Sequence, residues 1–344
     1  YVKGHILSAG GTVNIYYSEI DVWDGSVATE FAGGTGTKDD PYIIKTAEQM
    51  AYVALSTTLD SNGKYFKVTD NAVFNMNGAI GITLNSTASE VKSAPKNGAY
   101  KWTSDGAKFN GNFDGNGVII YNVYGPKMAF GGLFPHINTD NNEKSVTIKN
   151  VAVKASFFAG YHAAGGIVGD ATSITTSQNL FFENCMVENC YLTDDGDTNP
   201  NCDRTTGTIA GRVAHNSVTV DNCLAKGNLL ESIDIVGGFV GNTSLYASDA
   251  VIKNSVSIGT LPYPTKNENS TTDLRDKVTK NSCYSNVYTD KEVSATFNEK
   301  QIKSLTSSEI SGTASLDNMA LDFANGLGIF CIHTVRFRFV CFCF

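Results

Sequence analysis

Short runs of alternating apolar and polar residues recur through the middle of the chain. In the first run, Val146 and Ile148 alternate with Thr147 and Lys149. Alternation with a period of two is typical of β-strands, and runs of this length are too short for the helices of helical repeat proteins. In the last run the alternation is displaced by one residue, at Val251. The four runs occupy residues 146–153, 180–186, 218–224 and 250–256.

A glycine box of five residues stands before each run, and one asparagine recurs inside each run. The boxes begin 34, 42 and 30 residues apart, and strand-rich units that repeat at such a spacing predict a solenoid. We therefore predict an all-β protein, a parallel β-helix (β-solenoid) with an N-terminal helical cap. If the units stack in register, the asparagines form a ladder with side-chain amides about 4.8 Å apart. The boxes are residues 131–135, 165–169, 207–211 and 237–241, and the asparagines are Asn150, Asn184, Asn222 and Asn254.

The helical cap is predicted from a local capping pattern. Thr46 can cap a helix N-terminus, and Gln49 follows it at the spacing of a capping box. We predict a short helix over residues 46–56 that closes the open end of the β-stack, where strand edges would otherwise stay unpaired. Its apolar face would consist of Met50, Val53 and Ala54.

Four parts of the chain differ in pattern. Strands are expected over residues 65–69 and 80–84, ahead of an insertion that contains Trp102, and an amphipathic capping helix is expected over residues 296–310. The predicted parts are 1–30, a strand or hairpin that ends an upstream part of the protein; 31–108, the capping region with its short helix; 109–290, the β-helix repeats; and 291–344, a C-terminal cap with an atypical tail.

Composition and charge narrow the classes of function. The chain has 344 residues, of which 42% are hydrophobic, so it can bury a core and is not a disordered polymer. The net charge is −8, and no stretch is basic enough for a nucleic-acid groove, so we expect no nucleic-acid partner. No apolar run reaches the roughly 18 residues that a membrane span needs, so we expect no membrane span.

The eight cysteines are absent from the first 184 residues and form no CxxC pair. This spacing does not indicate a zinc site, and it favours an extracellular or cell-surface protein that does not depend on disulfides. Cys185 and Cys223 occupy equivalent positions in successive units, and Ser255 occupies the next. A buried stack of small residues is favoured there, although in-register stacking does not forbid a disulfide.

One acidic segment has part of the spacing of a calcium loop. Asp195, Asp197 and Asn199 follow the pattern of the first ligands of such a loop. The twelfth position is Thr206 rather than Glu, so a complete EF-hand site is excluded. An irregular Ca²⁺ site and a solvated acidic loop both remain open, and no other cofactor is expected.

Aromatic and titratable residues provide the other candidates. Phe157, Phe158 and Tyr161 are expected in one protruding loop, where they would stack on sugar rings or on a protein partner, or else pack in the core. Histidines near the glycine boxes fit solvated loops better than a metal or triad site. These histidines are His136, His162 and His215. The acidic residues considered for an acid–base pair are Asp170, Asp194, Asp195, Asp197, Asp221 and Asp234.

The chain resembles bacterial secreted or surface proteins that carry GLUG-type repeats. The resemblance covers roughly residues 30–323 and rests on several elements in order. Residues 33–44 resemble the segment GGTGTxxDPYxI, residues 46–54 the helix after it, residues 109–117 the strand and turn FxGxFDGNG, and residues 132–134 and 148–151 the GLFG and IKNL elements. The resemblance implies a right-handed parallel β-helix at the cell surface, in adhesin-like proteins or beside peptidase domains, and it implies no catalytic residue.

These observations favour a non-catalytic, secreted or cell-surface module. It would be adhesin-like and would bind a host or environmental glycan or protein through its loops and one face of the solenoid. One alternative is a polysaccharide lyase or glycoside hydrolase on the same scaffold, which would need converging carboxylates. Another alternative is a structural stalk that spaces other domains.

Overall fold

The computed structural model describes most of the chain between residues 19 and 309. The described residues are 19–96, 100–103, 106–137, 145–172, 179–194, 204–214, 217–232, 235–242, 250–259, 261–264, 283–285, 287–290, 302–306 and 309.

Two short helices and four short strands precede the repeats. The helices are α1 (Ala47–Leu55) and α2 (Ala88–Ser93). The strands are β1 (Ile20–Val22), β2 (Tyr42–Ile44), β3 (Tyr65–Val68) and β4 (Val73–Asn75).

The described part of the repeats consists of strands and their connections. Its first half contains β5 (Asn112–Tyr121), β6 (Tyr124–Gly131), β7 (Phe134–His136), β8 (Ser145–Lys154), β9 (Phe157–Gly165), β10 (Val168–Thr172), β11 (Asn179–Glu183), β12 (Met186–Glu188) and β13 (Tyr191–Asp194). Its second half contains β14 (Thr205–Gly207), β15 (Ala210–Ala214), β16 (Ser217–Asp221), β17 (Leu224–Lys226), β18 (Leu229–Ser232), β19 (Ile235–Gly237), β20 (Val240–Asn242), β21 (Ala250–Lys253), β22 (Val256–Ile258) and β23 (Leu261–Pro264). The last strands are β24 (Cys283–Ser285), β25 (Val287–Thr289) and β26 (Ile302–Ser304).

The described strands form three parallel sheets that together make a β-solenoid. Sheet A has 15 strands, sheet B has seven and sheet C has four. Each coil runs along sheet A, turns into sheet B and then into sheet C before it returns to sheet A; β8, β9, β10 and β11 follow this route. All pairs among the described strands are parallel, so each coil hydrogen-bonds to the coil before and after it. The predicted all-β solenoid fold is confirmed.

The alternating runs stack in register on sheet A. Val146 pairs with Leu180, Leu180 with Val218, and Val218 with Ala250, and all four residues are buried. The displacement predicted at Val251 is wrong, because Ala250 and Ile252 take the buried positions of this strand. A small residue thus fills the place of a larger one without a change of register.

The recurring asparagines lie at a corner of sheet A, in the left-handed region of backbone conformation. Their φ angles are 57°, 53°, 55° and 50° at Asn150, Asn184, Asn222 and Asn254. Asparagine adopts this region at lower cost than most residues. The Nδ2 of Asn184 donates to Oδ1 of Asn150 at 3.0 Å, and that of Asn150 donates to Asp114 at 2.8 Å. Corner geometry and side-chain bonding therefore favour the same residue type.

Helix α1 begins and ends close to the predicted bounds. The Oγ1 of Thr46 accepts a hydrogen bond from the Gln49 backbone N–H at 3.3 Å, and Oε1 of Gln49 accepts one from the Lys45 N–H at 2.8 Å. Met50 and Ala51 are fully buried in the main hydrophobic core. The predicted helical cap is present, but only two short helices lie in the described part of the chain, so the cap is only partly helical.

Two other local predictions are wrong, the second of them only in part. Residues 80–84 form turns rather than a strand, and the strand in this region is β4, ahead of them. Gly81 has a φ of +81°, which interrupts an extended chain, and Ile80 is 64% exposed. Within the predicted capping helix at 296–310, residues 302–304 form strand β26, which pairs with β25. Glu309 is helical as predicted, and its backbone N–H donates to Oγ1 of Thr306 at 3.3 Å. The open edge of sheet A offers backbone partners that outweigh a local helical preference.

Neither helix in the described part of the chain has the length and apolar character that crossing a membrane requires.

Candidate binding site at the junction of sheets B and C

The glycine boxes connect sheet B to sheet C at a tight junction. A Cβ atom on Gly165 would lie 2.1 Å from the carbonyl oxygen of Val168, and one on Gly207 would lie 2.2 Å from that of Ala210. Neither glycine has a positive φ. These positions therefore need glycine because the backbones approach closely, and the close approach brings side chains of both sheets together.

The residue after each box forms a row across sheet C. His136, Asp170 and Arg212 are neighbours in register, and Asn242 follows Arg212. The Nε of Arg212 donates to Oδ1 of Asp170 at 2.5 Å, and Nε2 of His136 lies 3.4 Å from Oδ2 of Asp170. The side chain of Asp170 is 1% exposed, whereas those of His136 and Arg212 are 21% and 16% exposed. A buried carboxylate thus accepts a hydrogen bond from the half-buried Arg212 guanidinium and lies beside the half-buried His136 imidazole.

Sheet B adds two rings to this row. The centroid of the Phe130 ring lies 5.1 Å from the His136 ring and 5.8 Å from the His162 ring. The guanidinium carbon of Arg212 lies 5.5 Å from the Phe130 centroid, within the range of a cation–π contact. We name these residues the Phe130 cluster: Phe130, His136, His162, Asp170 and Arg212.

The Phe130 cluster lies outside the apolar interior of the solenoid. None of its members belongs to the hydrophobic clusters found among the described residues. Phe130 and His162 are half-buried. The cluster therefore presents the Phe130 ring, the His162 imidazole and the Arg212 guanidinium partly at the surface, all carried by strands, whereas Nε2 of His136 is buried. Chemically, this set can stack on a ring, donate hydrogen bonds and pair with an anion.

The three aromatic residues predicted to bind do not share one loop. Phe157, Phe158 and Tyr161 all lie in strand β9. Phe158 is fully buried in the main core, which is the core alternative stated above, and Tyr161 is half-buried beside His162. The prediction of one shared loop is wrong because the three residues lie in a strand. Neighbouring side chains of a strand point to opposite faces, so Phe157 and Phe158 do not form one surface.

Phe157 belongs to a column of stacked rings on sheet B. Its ring centroid lies 5.5 Å from that of Tyr124 and 5.2 Å from that of Tyr191. Helix α2 packs beside this column, with Lys96 Nζ 5.8 Å from the Phe157 ring and Lys92 Nζ 4.9 Å from the Tyr191 ring. The rings of this column already contact one another and two lysines, so the column is a weaker binding candidate than the Phe130 cluster.

Contacts around α2 also shift titrating groups. Burial raises the pKa of Tyr191 above its ordinary range, and the hydrogen bond that its hydroxyl donates to Glu231, 2.6 Å long, raises it further. Burial lowers the pKa of Lys96. Lys92 pairs with Glu231 at 2.5 Å. These groups fasten α2 to sheet B.

The predicted calcium ligands lie outside the described residues. These are Asp195, Asp197 and Asn199. The ends of their segment are described: Asp194 pairs with Gly160 and Thr205 pairs with Ala163, so both ends lie next to Tyr161 and His162. Within the described ranges, no group of three His, Cys, Asp or Glu residues is placed to hold a metal ion.

Among the described residues, the predicted titratable residues that come together are His136, His162 and Asp170. His136 and His162 lie in strands, not in the loops expected for them, while His215 and Asp234 lie outside the described residues. Asp194 is buried at the end of β13. On sheet A, Asp221 lies 3.2 Å from Lys253 Nζ.

Three described cysteines are buried free thiols, and two of them, Cys185 and Cys223, are those predicted at equivalent positions. Cys185, Cys190 and Cys223 carry no disulfide. Burial raises the pKa of the Cys190 thiol to about 12 and that of Cys223 well above its ordinary value. The backbone N–H of Cys223 donates to Oγ of Ser255 at 3.1 Å. Cys185 and Cys223 are small buried residues at one corner of sheet A, and Cys190 lies at the turn from sheet A to sheet B.

Sequence reasoning missed Phe130 and Arg212. A signal was present, because the residue that follows each box is polar in the last three units and is histidine in the first. If the residue after each box is treated as one repeated position, it predicts a row of polar side chains across the stacked coils. Its meaning depends on Phe130, which belongs to a different sheet.

The comparisons with known proteins add little. No family model matches the chain, and no curated protein matches it. A solved structure described as a candidate immunoglobulin A1 protease from Bacteroides ovatus is 19% identical, with 80% of this chain and 85% of that chain covered and a TM-score of 0.45.

Proposed function

We propose that this chain is a non-catalytic, adhesin-like module of a secreted or cell-surface protein with GLUG-type repeats, and that it binds glycan through the Phe130 cluster. The supporting observation is the half-buried Phe130 ring surrounded by two imidazoles and a guanidinium. A protein ligand remains the second kind of partner for the same surface.

The chemistry of the cluster suits a saccharide. Sugar rings combine an apolar face with hydroxyl groups, so they are bound by an aromatic ring together with polar groups in fixed positions. Here the ring and the polar groups project from strands of a hydrogen-bonded stack. Because the groups are already ordered, little conformational entropy is lost when a ligand binds.

One contact favours an enzyme as the second candidate. The imidazole of His136 lies beside the carboxylate of Asp170, with 3.4 Å between Nε2 and Oδ2. A buried carboxylate that orients an imidazole is an arrangement used in general acid–base catalysis. A lyase or hydrolase would use His136 as base, and His162 would then serve as its acid partner.

A glycan array followed by a cleavage assay tests the proposal. The chain is expected to bind a subset of glycans, and the Phe130→Ala variant is expected to lose that binding. The Tyr100→Ala variant is the matched control, because Tyr100 is a 38% exposed aromatic residue near Trp23, outside the cluster.

Three outcomes separate the candidate functions. Binding without release of reducing sugar or unsaturated product supports the module. Release that is lost in His136→Ala supports the enzyme. If the folded chain binds neither a glycan nor a protein, the outcome supports the structural stalk.

A further inference from the structure

The guanidinium of Arg212 is held on its Nε edge by Asp170, and its other edge pairs with no side chain in the part of the chain that the structure describes. Its Nε donates to Oδ1 of Asp170 at 2.5 Å, and its plane lies near the Phe130 ring. Among the described residues, this is the only hydrogen bond of the Arg212 side chain, so Nη1 and Nη2 make none there. Two parallel N–H donors therefore remain for a ligand.

The surroundings keep this open edge in place. Asp170 is 1% exposed and fixes the Nε side of the guanidinium, while Phe130 restricts its tilt through a cation–π contact. An arginine fork of this kind matches the two oxygens of a carboxylate or sulfate. Since its orientation is fixed before binding, the fork loses little side-chain entropy on pairing.

The imidazoles provide nitrogen donors and acceptors around the same ring. His136 and His162 lie on β7 and β9, with ring centroids 5.1 Å and 5.8 Å from that of Phe130. Asp170 is the single carboxylate of the cluster, and its charge is directed at Arg212 and His136. The surface thus combines one anion-binding edge with several groups suited to hydroxyls.

We propose that the Phe130 cluster binds an acidic saccharide: a pyranose whose carboxylate or sulfate pairs with Nη1 and Nη2 of Arg212 while its ring lies against Phe130. This inference rests on the proposed glycan-binding function and names its ligand class. A neutral sugar would leave the arginine fork unpaired, and an acidic peptide would not use the ring and the imidazoles together.

Binding to matched saccharides, measured by titration calorimetry, tests this inference. The probes are an oligogalacturonate, its methyl ester, a sulfated galactan and a neutral galactan. The methyl ester keeps the ring and removes the charge. An acidic saccharide is expected to bind at least about tenfold more tightly than its uncharged counterpart, and its binding is expected to weaken as salt is raised. The carboxylate and sulfate probes show which anion is preferred.

Two variants separate anion recognition from folding. Arg212→Lys keeps the charge but loses the fork, and it is expected to weaken acidic saccharide binding by about tenfold. The double variant Asp170→Asn with Arg212→Gln removes both charges and leaves two polar amide side chains, although Gln is shorter than Arg. It is expected to lose the preference for acidic saccharides at an unchanged melting temperature.

The negative outcomes differ for the two proposals. Equal binding of oligogalacturonate and its methyl ester, lost in Phe130→Ala, would overturn the acidic ligand but keep the glycan-binding module. Binding of poly-glutamate with no saccharide binding would overturn both in favour of an acidic peptide. Absence of binding by any of these probes would also overturn the inference.

Discussion

The side-chain amide of Asn222 donates a hydrogen bond from Nδ2 to Oδ1 of Asn184, 2.6 Å away, although the two residues are 38 positions apart. Asn184 continues the column in the same way to Asn150. One coil therefore bonds to the next through side chains as well as through backbone. The Nδ2 of Asn254 donates to Oδ1 of Asp221 at 2.9 Å, so an acidic side chain joins the column there.

Replacement of Asn184 should separate the two roles of this corner residue, which are its left-handed backbone conformation and its side-chain hydrogen bonds. Asn184→Gly tolerates the φ of 53° but removes the amide, whereas Asn184→Ala loses the amide and also strains the backbone. We expect the glycine variant to lose about 1–2 kcal/mol of unfolding free energy and the alanine variant about 1 kcal/mol more. Urea unfolding measures both. Equal stability of the glycine variant and the parent would show that the column contributes nothing.

A methyl group on Gly165 should disrupt the junction of sheets B and C. Its Cβ would lie 2.1 Å from the carbonyl oxygen of Val168, which is backbone and cannot turn away. We expect Gly165→Ala to lower the unfolding free energy by about 2–4 kcal/mol. Gly33→Ala is the control, since a Cβ there meets no described atom within 4 Å. A destabilisation of the control as large as that of the test variant would contradict the steric explanation.

Glu188 should make stability depend on acid pH. Burial raises the pKa of this carboxyl, but Lys154 and Lys226, at 2.8 Å and 2.7 Å, outweigh burial and bring the pKa below its ordinary value of 4.5. A carboxyl whose pKa is lower in the folded state stabilises the fold above about 4.5, and this contribution disappears as the pH falls through the folded pKa.

The Glu188→Gln variant measures this contribution. At pH 7 we expect it to be less stable than the parent by about 1–3 kcal/mol, because two half-buried lysines lose their counter-charge. The difference should shrink as the pH falls below about 4.5, through the lowered pKa of Glu188 in the folded protein. Thermal unfolding across this range provides the comparison, and a difference that stays constant with pH would argue against the ion pairs.

The buried thiols should resist alkylation in the folded protein. Burial raises the pKa of Cys190 to about 12, so at pH 8 this residue is a thiol rather than a reactive thiolate, and its side chain is inaccessible. Mass spectrometry after iodoacetamide treatment should find Cys185, Cys190 and Cys223 unmodified in the native protein and modified in denaturant. Rapid labelling of Cys190 without denaturant would show that this corner opens.

The strands and corners of the repeats follow from local properties of the chain. Alternation marks strands such as β8, and asparagine prefers the left-handed corner, so both are visible before any contact is known. Helix α1 is visible for the same reason, because Thr46 and Gln49 act on the backbone next to them.

Local pattern failed where distant partners decide the conformation. Phe157 was expected in a loop, but pairing with Tyr191 on the next coil makes its segment a strand. Strand β26 lies in a segment whose sequence pattern is helical, but it pairs with β25 at the edge of sheet A. In both cases the partner strand supplies hydrogen bonds that local propensity cannot anticipate.

The amino-acid order by itself determined the solenoid, because strand period, glycine spacing and corner asparagines are each short-range features that recur. Only the tertiary structure decided where ligand chemistry could gather. Phe130, Asp170 and Arg212 come from three different units, and they meet because parallel stacking places equivalent positions side by side while the glycine boxes bring two sheets into contact. That proximity depends on the path of the whole coil.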